Sequence, residues 1–203
     1  MEISIQDRLN HVISAILFSE GAIKELLSIL TPFETKEAKS FISKHPFHIF
    51  RLSLSYLLII EYCKIFEKGK SNQCLSSIYK LVDELNKRES KNKYVIPEHL
   101  FDSEILIIFR TYRDKSFAHS DKHKFNTVFK KLGITINQLE RLYQNLIVVS
   151  NLINEIANIE FKTSYSLPSV LKLNNQTRNF VEHTSIAIDK YWKSKVRAMK
   201  ANR

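Results

Sequence analysis

Three glycines and four prolines serve the whole of a 203-residue chain. All-β domains need frequent tight turns and draw on both residues to make them, so this scarcity predicts long helices. Hydrophobic spacing says where they lie. Ile5, Leu9, Val12, Ile16, Ile23, Leu26 and Leu30 recur on one helical face and mark a helix over residues 4–30, closed by Pro32. Residues 34–43 suit a short helical piece. Pro46 opens the next long helix, which runs to about Lys68 before Gly69 breaks it. Its middle is almost wholly apolar, which places it at the centre of a bundle.

The remaining chain continues the pattern. Leu75, Ile78, Tyr79, Val82 and Leu85 line one side of a helix over 72–88, and residues 89–93 form a polar loop. Pro97 starts a helix to about His119 whose run from Glu104 to Tyr112 is apolar enough to be buried. After a charged turn at 120–124, a short helix is expected over 125–132, stopped by Gly133. Residues 136–161 carry Leu139, Leu142, Leu146, Val149, Ile153 and Ile156 at alternating spacings of three and four. That narrow seam is of coiled-coil type and can pack inside the monomer or against a second copy. Residues 164–169 form a loop, and a last helix runs from about 174. No candidate strand exceeds Tyr94-Val95-Ile96, and there is no internal repeat. The expectation is an all-α single domain over 1–203. It is a bundle of about five to seven helices, with its core in about 1–161 and a helical extension from about 168.

A formal charge of +10 points to an anionic partner, with nucleic acid first and a membrane surface second. Lys190, Lys193, Lys195, Arg197, Lys200 and Arg203 concentrate part of it in a basic tail, with Trp192, Val196 and Met199 on its apolar side. The tail reads as a solvated or frayed end, as an RNA or ribosome contact, or as a membrane-surface helix. Cys63 and Cys74 are unpatterned and read as free thiols in a reducing cytoplasm. The start shows no basic segment followed by an apolar core. The longest apolar run, around Tyr56 to Ile60, falls short of the ~20 residues that cross a bilayer. The protein is therefore expected to be cytoplasmic, without a transmembrane segment.

One stretch carries residue types suited to chemistry: Arg113-Asp114-Lys115-Ser116-Phe117-Ala118-His119-Ser120-Asp121. It resembles the Arg-X(4–6)-His motif of HEPN domains, closest to the abortive-infection branch, whose signature reads Arg-Asn/Asp-Lys-x-x-Ala-His-x-Asp. The resemblance implies a helical bundle acting as a metal-independent endoribonuclease, a homodimer, in toxin–antitoxin or phage-defence systems, with no cofactor. It makes Arg113 and His119 the catalytic pair. Glu61, Asp114, Lys115, Ser116 and Asp121 then support the site, with Arg110, Lys122 and Lys124 as RNA phosphate contacts. RNA and an antitoxin or defence-complex protein are the implied partners. A non-catalytic RNA- or protein-binding module of the same kind is the alternative. Nucleotidyltransferase-paired HEPN toxins carry a tyrosine two positions after the histidine, where this chain has Asp121, so control by tyrosine AMPylation is not implied.

The residue types suit RNA cleavage. A histidine with a pKa near 6.5 can accept the proton of a ribose 2′-hydroxyl or protonate a leaving 5′-oxygen. An arginine can hold the scissile phosphate in bidentate fashion. Six helical residues rise ~9 Å and turn about 240°, so Arg113 and His119 point along different faces of a regular helix. They converge if the helix frays near His119, or if two copies meet. The bland reading pairs Arg113 with Asp114, Asp121 or Glu61, and leaves His119 capping a helix end.

Three further features need weighing. Glu61 interrupts the most apolar helix, and a buried carboxylate needs a partner. Arg113 is a candidate, and a solvated stripe with Lys64 and Lys68 is the alternative. Arg178 and His183 repeat the Arg-X4-His spacing without the flanking residues, as expected of an exposed amphipathic helix. His119 and His123 are four apart but have no convincing third metal ligand.

Overall fold

The computed structural model describes residues 3–43, 45–68, 74–89, 93–100, 103–117 and 134–201. Seven α-helices and one 3-10 turn account for most of them, and no strand occurs among the described residues. The helices are α1 (Ile5–Leu30), α2 (Lys36–Ile42), α3 (His45–Ile65), α4 (Ile78–Glu89), α5 (Ser103–Phe117), α6 (Ile136–Phe161) and α7 (Asn175–Ala201). The all-α bundle with a long C-terminal helix is thus observed.

Local chemistry sets the helix ends. The Ser4 hydroxyl accepts from the Asp7 amide at 3.0 Å and starts α1. Thr135 and Gln138 form a reciprocal capping box that starts α6. At the other end of α6, Lys162 takes a left-handed conformation at φ 54°, and the Thr163 amide bonds back to the Ala157 carbonyl.

The core is built around α1. Leu9, Val12, Ile16, Ile23 and Leu26 are fully buried, and α1 packs against α3, α4, α6 and α7. The α6 seam lies inside this core: Leu139, Leu142, Leu146, Val149, Ile153 and Ile156 are all buried within the chain. A buried Leu or Ile side chain contributes about 1.5–3 kcal/mol relative to exposure, so these two stripes dominate the stability.

Several expectations need correction. Helix α3 is central only over its second half, where Leu58, Ile59, Tyr62, Cys63 and Ile65 are buried; Ile49 and Phe50 near its start and Tyr56 at its middle are exposed. An apolar sequence says that a helix can be buried all round, but not how far its neighbours extend along it. The run in α5 is likewise buried on one side only: Ile105, Leu106 and Phe109 face the core, and Ile107 is 60% exposed. Helix α4 starts at Ile78 rather than near 72: residues 74–77 form a turn in which the Ser77 amide bonds to the Cys74 carbonyl and its hydroxyl donates to the Glu67 carbonyl. Residues 98–100 form a 3-10 turn before α5, and the short helix expected over 125–132 lies outside the described residues. No described helix is long and apolar enough to cross a membrane.

Candidate active site

Helix α5 is fixed to α3 by aromatic packing. The Tyr62 ring meets Phe66 at 4.7 Å between centroids and Phe109 edge-on at 6.0 Å. The Asn145 amide of α6 donates to the Tyr62 hydroxyl at 3.3 Å, which ties a third helix to the same point. This packing sets which residues of α5 meet the segment that follows α3.

Two arginines one turn apart make that meeting. Arg110 donates to the Phe66 carbonyl at 2.9 Å, just past the end of α3. Such a bond satisfies a carbonyl that the ending helix leaves without an internal partner. Arg113 reaches the next residue: its Nη1 lies 3.2 Å from Glu67 Oε2, and its Nε lies 3.0 Å from Asp114 Oδ1. Its side chain is 27% exposed, so the guanidinium is shielded from solvent but still reachable. Burial works against its charge, but the bond it donates to Asp114 and the nearby Glu67 carboxylate prevail, and its pKa is raised.

The surroundings reinforce this arrangement. Cys63 lies buried one turn before Glu67, and burial pushes its thiol up to about 11 despite the opposing pull of Arg113 and Arg110. Residues 74–77 are anchored beside Glu67 through the Ser77 hydroxyl, which donates to its carbonyl, and through Arg8, which donates to the Cys74 carbonyl at 3.1 Å and pairs with Glu84 at 2.8 Å. The base under Arg113 is thereby tied to α1 and α4.

The expected residues fall as follows. Arg110, Arg113 and Asp114 come together on α5. Lys115 and Ser116 lie in its last turn. His119, Asp121, Lys122 and Lys124 lie outside the described residues, as does His123. Glu61 pairs with Lys64 at 2.6 Å, one turn away on its own helix. The partner of Arg113 from α3's end is instead Glu67, which sequence reasoning missed. An arginine pair three apart, opposite a helix end carrying a carboxylate, was the available signal. The register of α5 on α3, which selects Glu67 over Glu61, is set by packing. The Arg113–Asp114 pairing of the bland reading is present as well.

The second Arg-X4-His match has a structural role. Arg178 donates to the carbonyls of Ser28, Thr31 and Pro32 at 3.2, 3.1 and 3.0 Å, and lies 4.3 Å from the Phe33 ring centroid. It closes the C-terminus of α1 and docks α7 there, rather than decorating an exposed helix. Among the described residues no three His, Cys, Asp or Glu side chains are grouped as metal ligands would be. The basic tail is helical through Ala201, and Lys195 lies 5.7 Å from the Tyr191 ring and 5.6 Å from the Trp192 ring.

Among known families, the model of the HEPN_AbiU2 family, described as AbiU2, matches residues 6–170. The matched stretch runs from α1 through Arg113 to the loop after α6, and α7 begins beyond its end. No curated protein and no solved structure matches the chain.

Proposed function

The chain belongs to the AbiU2 family of HEPN domains, and on that footing we propose that it is a metal-independent endoribonuclease acting as a toxin or phage-defence effector. Arg113 and His119 are its catalytic residues. His119 takes the proton of a ribose 2′-hydroxyl as that oxygen attacks the adjacent phosphorus, and a protonated His119 returns a proton to the departing 5′-oxygen. Arg113 binds the phosphate and stabilises the charge that gathers on its non-bridging oxygens. The products are a 2′,3′-cyclic phosphate and a 5′-hydroxyl. Two copies of the motif meeting across a homodimer would supply both groups to one phosphate. The setting is cytoplasmic, with an antitoxin or defence-complex protein as partner.

The observation that carries this reading is the held guanidinium. Glu67 and Asp114 fix Arg113 from two sides while leaving it partly exposed. A preoriented donor stabilises developing charge without reorganising at the moment of reaction. The same ion pairs support a second reading, a non-catalytic RNA-binding module, because a structural arginine is held in this way too. Cleavage of labelled RNA in EDTA separates them. Arg113→Ala and His119→Ala both abolish cleavage in the nuclease, while a binding module cuts nothing and loses affinity steeply with added salt.

A further inference from the structure

Between α4, residues 94–98 and α5 lies an open cleft of about 810 Å³. That is a volume typical of small-molecule and cofactor sites. Its two ends differ chemically. At one, Lys68 lies 4.8 Å from the Tyr79 ring centroid, with Arg110 close enough to act on the same tyrosine. At the other, the Asn86 side chain clamps the Tyr94 backbone, donating to its carbonyl at 2.8 Å and accepting from its amide at 3.0 Å. Tyr79 and Asn86 are seven residues apart on α4, so the ends are separated by about 10 Å. Val95 and Ile107 stand between as apolar wall, 69% and 60% exposed. Asp83 also lines the cleft, but it is paired with Lys87 at 2.6 Å. Glu98 is the remaining acidic group in the lining.

We propose that this cleft binds a phosphorylated nucleoside, with its phosphate on Lys68 and Arg110 and its base against Val95 and Ile107. Ile107 lies one turn before Arg110, so the apolar wall adjoins the cationic end as the base adjoins the phosphate of one nucleotide, and the bond to the Phe66 carbonyl holds Arg110 in place for it. Apolar contact would accept any base, because every base offers a flat face to the Val95 and Ile107 side chains. Arg110 and Arg113 are one turn apart on α5 and hold consecutive residues, Phe66 and Glu67. A nucleoside in the cleft would therefore neighbour the phosphate on Arg113. For a nucleoside within a strand, the proposal rests on the RNA-cleavage reading. A free nucleotide could occupy the same cleft without it.

The test titrates the full chain with a short fluorescein-labelled single-stranded RNA by anisotropy, and with AMP and UMP by calorimetry. Lys68→Glu attacks the phosphate end and Ile107→Asn the apolar wall. Lys39→Glu makes the same charge change on the exposed face of α2. The expected result is a loss of about tenfold in affinity for each cleft variant, with far-ultraviolet circular dichroism unchanged and Lys39→Glu close to wild type. Binding of RNA alone marks a strand subsite, and binding of the mononucleotides as well marks a site for free nucleotides. The proposal is overturned if wild type binds neither probe, or if both cleft variants bind as wild type does. Failure of the nuclease reading would appear separately, as cleavage unaltered in Arg113→Ala and His119→Ala.

Discussion

Replacing Arg178 by alanine should destabilise the fold and spare the chemistry. The guanidinium serves three carbonyls at the end of α1 and lies over Phe33. Hydrogen bonds to a charged donor contribute about 1.5–3 kcal/mol when well shielded. The bonds to Ser28 and Thr31 are only half-buried and that to Pro32 is exposed, so each contributes less. Adding ~0.5–1 kcal/mol for the cation–π contact, the loss comes to about 3 kcal/mol. For a chain of this size that lowers Tm by roughly 6–12 °C. Arg178→Lys keeps the charge but not the fork that reaches three acceptors, and should fall between the two. Thermal unfolding followed by circular dichroism reads the stability, and RNA cleavage at 20 °C reads the function. An unchanged Tm together with lost cleavage would refute the reasoning and make Arg178, with His183, a second site.

Two other perturbations follow from the structure. Glu67→Ala should lower kcat about tenfold with KM little changed, because Arg113 loses the carboxylate that orients it; Glu67→Gln, which still offers an oxygen acceptor, should restore most of the rate, and steady-state kinetics on a labelled RNA distinguishes the two. Glu160 accepts from Lys93 at 2.7 Å and from the Tyr94 hydroxyl, and these bonds hold its pKa below the ordinary 4.5. Its stabilising contribution is therefore complete above 4.5 and is lost as pH falls through the lowered folded value, so Glu160→Gln should flatten the acid limb of a Tm-against-pH profile.

The helices were legible because their periodicity is local. The α6 seam, with its Thr135 capping box, carries its boundaries within a few residues of its ends, and it matches the expected 136–161. What a helix meets is not local. The apolar runs in α3 and α5 promised burial all round, yet each leaves a face open, at Phe50 and at Ile107, because burial depends on where distant segments lie. The motif singled out Arg113, through its flanking residues. It gave no means of choosing Glu67 over Glu61, since that choice follows from how the Tyr62 and Phe109 rings interlock. Arg178 was misjudged for the same reason: its acceptors lie about 150 positions earlier in the chain.

The most direct test of the central claim is the chemistry of the cut ends. A labelled mixed-sequence RNA is incubated in EDTA with wild type, Arg113→Ala and His119→Ala, each confirmed as folded, and the 3′ ends are analysed. The account predicts wild-type fragments ending in 2′,3′-cyclic phosphate and none from either variant. Equal cleavage by wild type and His119→Ala, or fragments ending in 3′-hydroxyl, would contradict it.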